Sequence, residues 1–293
     1  MDALPLPPEV LRQRTHGATD ADSFLAVGRQ CAEDLTTALA AVGRPLDGFG
    51  RVLDFGCGCG RTLRWLLPRH RQTAFFGSDT DSASVHWCAA HLPAAGFLVN
   101  QDVPSLGCAD ASFDLIYAIS VFTHLDEEYQ RSWLHELRRL VRPGGLVLLS
   151  LHGAQHAGLP PQLAARLAAR GTLFLDSGHW QHTFAEWYQD SFHTRAYVET
   201  HFTDCFALLD YQPGRINGLQ DLAVLQRPPD APAPPAPPMP QRWQRYQLQR
   251  QLAARDALVA AKDRHIADLE AHIRRLESGR VMRALGLIRG RDA

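Results

Sequence analysis

The sequence predicts an α/β protein, a doubly wound and mostly parallel seven-stranded sheet, followed by a C-terminal helical tail. Three observations carry this. Short apolar runs alternate with stretches of helical spacing from residue 22 to residue 152, the pattern of a parallel sheet covered by helices. The first apolar run, residues 51–55, ends directly in a glycine-rich bend, where strands of such sheets hand over to a ligand-binding crevice. Two last apolar runs, 204–213 and 219–227, sit close together and predict an antiparallel pair that closes the sheet.

The elements follow in order. Residues 22–42 predict a helix leading into the first strand, RVLDF (51–55). RTLRWLLPRH (61–70) has helical spacing until Pro68, TAFFGSD (73–79) reads as the second strand and SASVHWCAAHL (82–92) as the second covering helix. GFLVN (96–100) and FDLIYAIS (113–120) are the third and fourth strands. Residues 127–141 form an amphipathic helix that stops before Pro143-Gly144-Gly145, and LVLLSLH (146–152) is the fifth strand. A long insertion then precedes the closing pair. The first domain therefore spans 1–227. Residues 228–240, PPDAPAPPAPPMP, are a semi-rigid spacer, because proline at that density suits neither helix nor central strand. Residues 241–278 return to helical spacing, and 279–293 are basic and apolar.

Composition sets limits. A chain of 293 residues that is 45% hydrophobic and 21% charged is neither collagen-like, nor wholly disordered, nor a disulfide-stapled miniprotein. It contains no run of 18 apolar residues, so no transmembrane helix is expected, and its first residues lack the basic head and apolar stretch of a signal peptide. The six cysteines are scattered. Cys57 and Cys59, the one close pair, lack the spaced partners of a zinc site, so reduced thiols, no metal and a cytoplasmic setting are expected. The net charge of −1 hides a split, −7 over residues 1–240 and +6 over 241–293. The acidic body gives no reason to bind nucleic acid.

The sharpest motif is Asp54-Phe55-Gly56-Cys57-Gly58-Cys59-Gly60-Arg61. Glycines at that bend let the backbone turn tightly and approach a ligand. Asp79 ends the next strand, 21 positions after Gly58, where a carboxylate can accept both ribose hydroxyls of a nucleoside. A dinucleotide fingerprint would read G-x-G-x-x-G; here the spacing is G-x-G-x-G, with Asp54 two residues ahead. That pattern resembles the first motif of the class I S-adenosylmethionine-dependent methyltransferases, which have a Rossmann-like fold. The resemblance extends over residues 22–227. It takes in Ser112-Phe113-Asp114-Leu115-Ile116-Tyr117-Ala118, Ser120-Val121-Phe122-Thr123-His124-Leu125 and Leu140-Val141-Arg142-Pro143-Gly144-Gly145.

The resemblance implies S-adenosyl-L-methionine as cofactor. It assigns Asp54, Gly56, Cys57, Gly58, Gly60, Arg61, Asp79, Thr80, Ser120 and Val121 to the cofactor site, with Asp54 reaching the methionine amino group. Asp102, after the third strand, is the candidate for the adenine amino group, with Asn100 and Gln101 as adjacent alternatives. Asp114 is read as a structural residue at the start of its strand, and Cys57 and Cys59 as small packing residues.

Methyl transfer to an alcohol benefits from a base, because the hydroxyl proton must leave as the new bond forms, and histidine suits that task. The candidates are His124 after the fourth strand, His152 at the exit of the fifth and His193 within the insertion. Ligands of doubly wound folds bind beyond the carboxyl ends of the strands, which favours His124 and His152. The insertion, 171–203, carries Phe174, His179, Trp180, His182, Phe184, Trp187, Tyr188, Phe192 and His193. Aromatic faces with polar edges make ring or sugar platforms, so the acceptor is expected to be selected there; a cap with its own small core accounts for part of the set. No Asn/Asp-Pro-Pro-aromatic signature follows the fourth strand, which speaks against methylation of nucleic-acid bases.

In the tail, Leu252, Val259, Ile266 and Ile273 recur every seven residues, with Leu248, Leu269 and Leu276 on the companion position beside Arg255 and Lys262. Branched residues on one seam position and leucine on the other favour a parallel two-stranded coiled coil, hence a homodimer. The alternative is a single charged helix. Ser278-Gly279 leads into RVMRALGLIRGR, a segment suited to weak contact with an anionic membrane surface or an assembly partner. This tail, and the ending Gln220-Asp221-Leu222-Ala223-Val224-Leu225, resemble methyltransferases of bacterial cell-surface polysaccharide assembly. That resemblance implies O-methylation of a glycan or glycan precursor. A small-molecule acceptor is the alternative reading, and a non-catalytic scaffold is the reading from another class.

Overall fold

The computed structural model describes residues 4–101, 103–155, 159–175, 188–229, 234–235, 237 and 241–277. The chain divides into two compact units, Met1–Pro237 and Pro238–Ala293.

In the first unit, five parallel strands form the centre: β1 (Arg51–Phe55), β2 (Ala74–Asp79), β3 (Ala95–Val99), β4 (Phe113–Ala118) and β5 (Val141–Leu151). β8 (Ala207–Ile216) and β9 (Gln220–Gln226) complete a seven-stranded sheet of order β3-β2-β1-β4-β5-β9-β8, in which β9 runs antiparallel to both neighbours. The order reverses direction between β1 and β4, so a crevice opens beyond the carboxyl ends of those two strands. Strands β4 and β5 lie inside the sheet with helices over both faces. Their central stretches, 115–118 and 146–149, are therefore unbroken apolar runs, and Leu146, Val147, Leu148, Leu149 and Leu151 have no exposed surface.

The covering helices are α2 (Ala21–Ala41), α3 (Leu63–Leu66), α4 (Ser82–His91) and α5 (Glu127–Leu140). Three begin on an aspartate whose carboxylate accepts an orphan backbone N–H: Asp20 from Ser23, Asp81 from Ala83 and Asp126 from Tyr129. In α5, Glu127 and Glu128 start the helix and Arg138 and Arg139 end it, as the helix dipole favours. Its apolar stripe of Tyr129, Trp133, Leu134, Leu137 and Leu140 is buried.

Three features differ from the sequence reading. The helix expected over 61–70 is the single turn α3, because Gly58 to Thr62 remain in turns and Pro68 stops the next one. β5 starts at Val141 rather than Leu146, so Pro143-Gly144-Gly145 lies within it. The register shifts there opposite β4, and Gly144 and Gly145 exchange backbone bonds with Arg227 instead. An unanticipated first helix, α1 (Glu9–His16), precedes α2. After α6 (Pro161–Arg170), the insertion carries a two-stranded pair of β6 (Thr172–Leu175) with β7 (Asp190–His193), and α7 (Arg195–His201), and Leu167, Leu173 and Phe192 form a small buried cluster. Asp114 has the structural role expected of it, its carboxylate accepting from Gly50 and Arg51 N–H and pairing with Arg142.

The second unit contains α8 (Gln241–Glu277), one helix of 37 residues. Leu248, Leu252, Val259, Ile266, Leu269, Ile273 and Leu276 are all exposed on it. Among the described residues no helix is long and apolar enough to cross a membrane. The basic segment 279–293 lies outside the described residues.

Candidate cofactor and active site

The glycine-rich bend leaves β1 and wraps the carboxyl ends of β1 and β2. Gly56, Gly58 and Gly60 all take positive φ, 80°, 51° and 78°, a region that favours glycine. Space is as restrictive as the dihedral at Gly56, because Val121 Cγ2 lies where a Cβ there would be. The bend is hung on its neighbours. Gly56 and Cys57 N–H donate to the Ser78 carbonyl, and Gly58 N–H donates to Asp79 Oδ2 at 2.7 Å. Asp79 Oδ1 accepts from Asp81 N–H at 2.9 Å. Burial pushes the Asp79 carboxyl up from its usual range, and these backbone bonds oppose the rise. Thr80 beside it is exposed.

Asp54 is 3% exposed, and its Oδ2 has no hydrogen-bond partner among the described residues. Burial raises its pKa to about 7; Asp79 adds to the rise, while Tyr117, near but without hydrogen-bond geometry, and Arg61 oppose it. Asn100, after β3, is buried with a similarly unpartnered Oδ1, while its N–H donates to the Asp79 carbonyl. Asp102 lies outside the described residues. Cys57 and Cys59 are buried. Contact with Cys88 and burial raise the Cys57 thiol, and burial pushes the Cys59 thiol up to about 12, so both are held as inert thiols.

Helix α1, which motif reading missed, packs on this bend. Thr15 Oγ1 accepts from Cys59 N–H at 3.1 Å, His16 Nδ1 lies 3.2 Å from Arg61 Nη1, and Arg14 pairs with Asp81 at 3.1 Å. Its signal was present: Pro7-Pro8 before the helix and Gly17, in the left-handed conformation, after it. From α2, Gly28 presses so closely on the Arg61 carbonyl that a Cβ would overlap it.

Across the crevice, β4 ends in a tight turn. Ser120 takes φ 59°, uncommon for a non-glycine residue. Its N–H donates to Ser150 Oγ at 2.7 Å and its hydroxyl accepts from Gln220 Nε2 at 2.9 Å. The turn carries His124 into a dense aromatic setting: stacked on Tyr188 (centroids 4.1 Å apart, 18°) and edge-on to His152 (6.0 Å). His124 Nδ1 is 3.1 Å from the Gln189 carbonyl and 3.7 Å from Asp190 Oδ1. Burial lowers its pKa to about 4 against the pull of Asp190 and Gln189. The structure thus brings His124 and His152 together at the mouth. His193 lies beside them on β7, its N–H donating to the His152 carbonyl. It has no exposed surface and packs on Tyr197 and Phe202, and burial lowers its pKa to about 3. Ser191 and Phe192 beside it are buried as well, so β7 is covered on both faces at this point. Of the insertion's aromatic set, His179, Trp180, His182, Phe184 and Trp187 lie outside the described residues.

This strand order and bend are the fold of the class I S-adenosylmethionine-dependent methyltransferases, and residues 52–145 match the family described as Methyltransferase domain. The match takes in β1 to the start of β5, about a third of the chain. Among curated proteins it is similar to a trans-aconitate 2-methyltransferase of Methylobacterium nodulans, 32% identical over 160 residues, which cover 51% of this chain and 59% of that protein. It is also similar to a malonyl-[acyl-carrier protein] O-methyltransferase of Hahella chejuensis, 29% identical over 133 residues and 44% of each chain. The chain thus spans about half the length of the curated relatives it matches. Among solved structures, the 1,6-didemethyltoxoflavin-N1-methyltransferase of Burkholderia thailandensis superposes with a TM-score of 0.51 at 18% identity, over 78% of this chain and 93% of the other.

Proposed function

We propose that this protein transfers the methyl group of S-adenosylmethionine to an oxygen of a small-molecule acceptor. The observation that carries the reading is the cradle formed by three positive-φ glycines and Asp79, within the segment that matches the methyltransferase family. The buried acceptors without partners among the described residues suit the cofactor's donors: Asp54 Oδ2 its ammonium group and Asn100 Oδ1 its adenine amino group. Asp79 takes the ribose hydroxyls, since a carboxylate oxygen accepts more than one bond. When bound, the cofactor supplies a methyl group already activated on a sulfonium sulfur. The chain supplies alignment and exclusion of water, and His124 takes the proton leaving an alcohol acceptor.

The acceptor class draws support from the names of the curated relatives, one acting on trans-aconitate and the other an O-methyltransferase. A glycan or glycan precursor is the second reading, supported by the resemblance of the tail and of the β9 ending. The test is incubation of the full chain with S-adenosylmethionine and separate pools of carboxylic acids, alcohols and saccharides, read by mass spectrometry. Methylation in the first two pools is expected. Product in the saccharide pool alone would move the assignment to the second reading, and no product together with no cofactor binding would leave a scaffold.

The pH dependence of cofactor binding follows from Asp54. Its folded-state pKa lies above its ordinary value, so the folded chain holds a proton there up to about pH 7 and this group's contribution to stability falls as pH rises through that window. An ammonium ligand selects the ionised carboxylate. Affinity for S-adenosylhomocysteine is expected to rise roughly tenfold between about pH 6 and about pH 8, with proton release on binding, and to lose that dependence in Asp54→Asn. Calorimetry in buffers of different ionisation enthalpy checks it, and a flat profile would mean that Asp54 is ionised before the ligand arrives.

We further propose that the exposed α8 stripe pairs with a second copy of itself. Truncation after Pro240 is expected to convert a dimer into a monomer that still binds S-adenosylhomocysteine, as read by light scattering and calorimetry. A truncated chain that remains dimeric would put the interface in the first unit.

A further inference from the structure

Three consecutive residues of the insertion wrap His124. Tyr188 covers a face of the ring, the Gln189 carbonyl meets Nδ1, and the Asp190 carboxylate lies 3.7 Å from the same nitrogen. The arrangement is stitched in place by backbone. Gln189 N–H donates to the His124 carbonyl and Ser191 N–H to the Thr123 carbonyl, while His193 N–H donates to the His152 carbonyl. Gln130 ties the turn from below, its Nε2 donating to the Phe122 and Leu125 carbonyls and to Ser191 Oγ. β7 is thereby threaded between the exits of β4 and β5, and the position of Asp190 relative to His124 is set by the sheet rather than by a loose loop.

We propose that Asp190 is a positioning residue for His124, holding the ring with Nδ1 protonated and supplying the counter-charge for the imidazolium that forms when Nε2 takes a proton. This rests on the reading of His124 as the base. A neutral imidazole whose Nδ1–H donates to the Gln189 carbonyl has its lone pair on Nε2. A carboxylate behind the protonated nitrogen stabilises the cation that follows. Among the described residues, the titratable groups packed against the ring are Tyr188 and Asp190 from the insertion and His152 from the end of β5. Of these, Asp190 is the one that favours the charged ring; burial opposes it. Asp190 acts here through His124.

The test is nitrogen-15 NMR of the histidine rings in the full chain, with the His124 resonances assigned by their loss in His124→Asn. At neutral pH the wild-type ring is expected to carry its proton on Nδ1. Asp190→Asn is expected to lower the His124 titration midpoint by about one pH unit, the scale of an opposite charge within a few ångströms, and Asp190→Glu to restore it. A proton on Nε2 in the wild type, or an unchanged midpoint in a folded Asp190→Asn chain, would overturn the proposal. Should Asp190→Asn fail to fold, the wild-type tautomer and the Asp190→Glu midpoint carry the test. Calorimetry with S-adenosylhomocysteine separates the two levels: no binding to the wild type defeats the cofactor reading, whereas binding with an unchanged midpoint defeats the His124–Asp190 pair alone.

Discussion

Replacing Asp79 with alanine is expected to weaken S-adenosylhomocysteine binding by at least about 100-fold, because two ribose hydroxyls each lose a bond to a charged acceptor at roughly 1.5–3 kcal/mol apiece. A second loss adds to it. The same carboxylate accepts from Gly58 and Asp81 N–H, so alanine also releases the glycine bend and the start of α4. Asp79→Asn separates the two effects, since it retains one acceptor oxygen and nearly the same shape. It should bind more weakly than the wild type and more tightly than alanine. Calorimetry on folded variants gives the answer, and undiminished affinity in Asp79→Ala would place the ribose away from the end of β2.

Replacing His124 with asparagine is expected to leave cofactor affinity intact and to cut turnover of an alcohol acceptor by roughly 100-fold, the size of a general-base contribution. The ring's burial favours the neutral form at neutral pH, so the base stands ready without a prior proton loss. The loss should appear in single-turnover rates, not in affinity. Full activity would exclude the role. A carboxylic acceptor arrives already ionised and has no proton to give up, so a small effect confined to acid acceptors would identify them as the natural class.

The parts of the fold that sequence makes legible are those governed by local pattern. β1, β2, β4 and β5 announce themselves because a strand buried on both faces is a near-continuous apolar run, as in residues 146–149. Asp79 is legible because a fixed chain length links the glycine bend to the next strand end. Sequence overstates α3, since residues 61–67 keep helical spacing while Gly58 to Thr62 remain in turns and Pro68 limits the helix to one turn. The site's other half depends on contacts between distant residues. Thr15 reaches Cys59 across 44 positions and Asp190 reaches His124 across 66, and no periodicity encodes either meeting. His193 shows the same limit. Its residue type suits chemistry, but its burial against Tyr197 and Phe202 depends on pairing with β6 and on contact with α7 and its C-cap.

The central claim is that the bend from Gly56 to Gly60 and the carboxylate of Asp79 hold an adenosyl group. Crystals of the full chain soaked with S-adenosylhomocysteine test it most directly. The expected density places the ribose hydroxyls on Asp79, the amino group at Asp54 and the thioether facing His124. A vacant bend at saturating ligand, or one that takes up a pyrophosphate-bearing dinucleotide in its place, would contradict it.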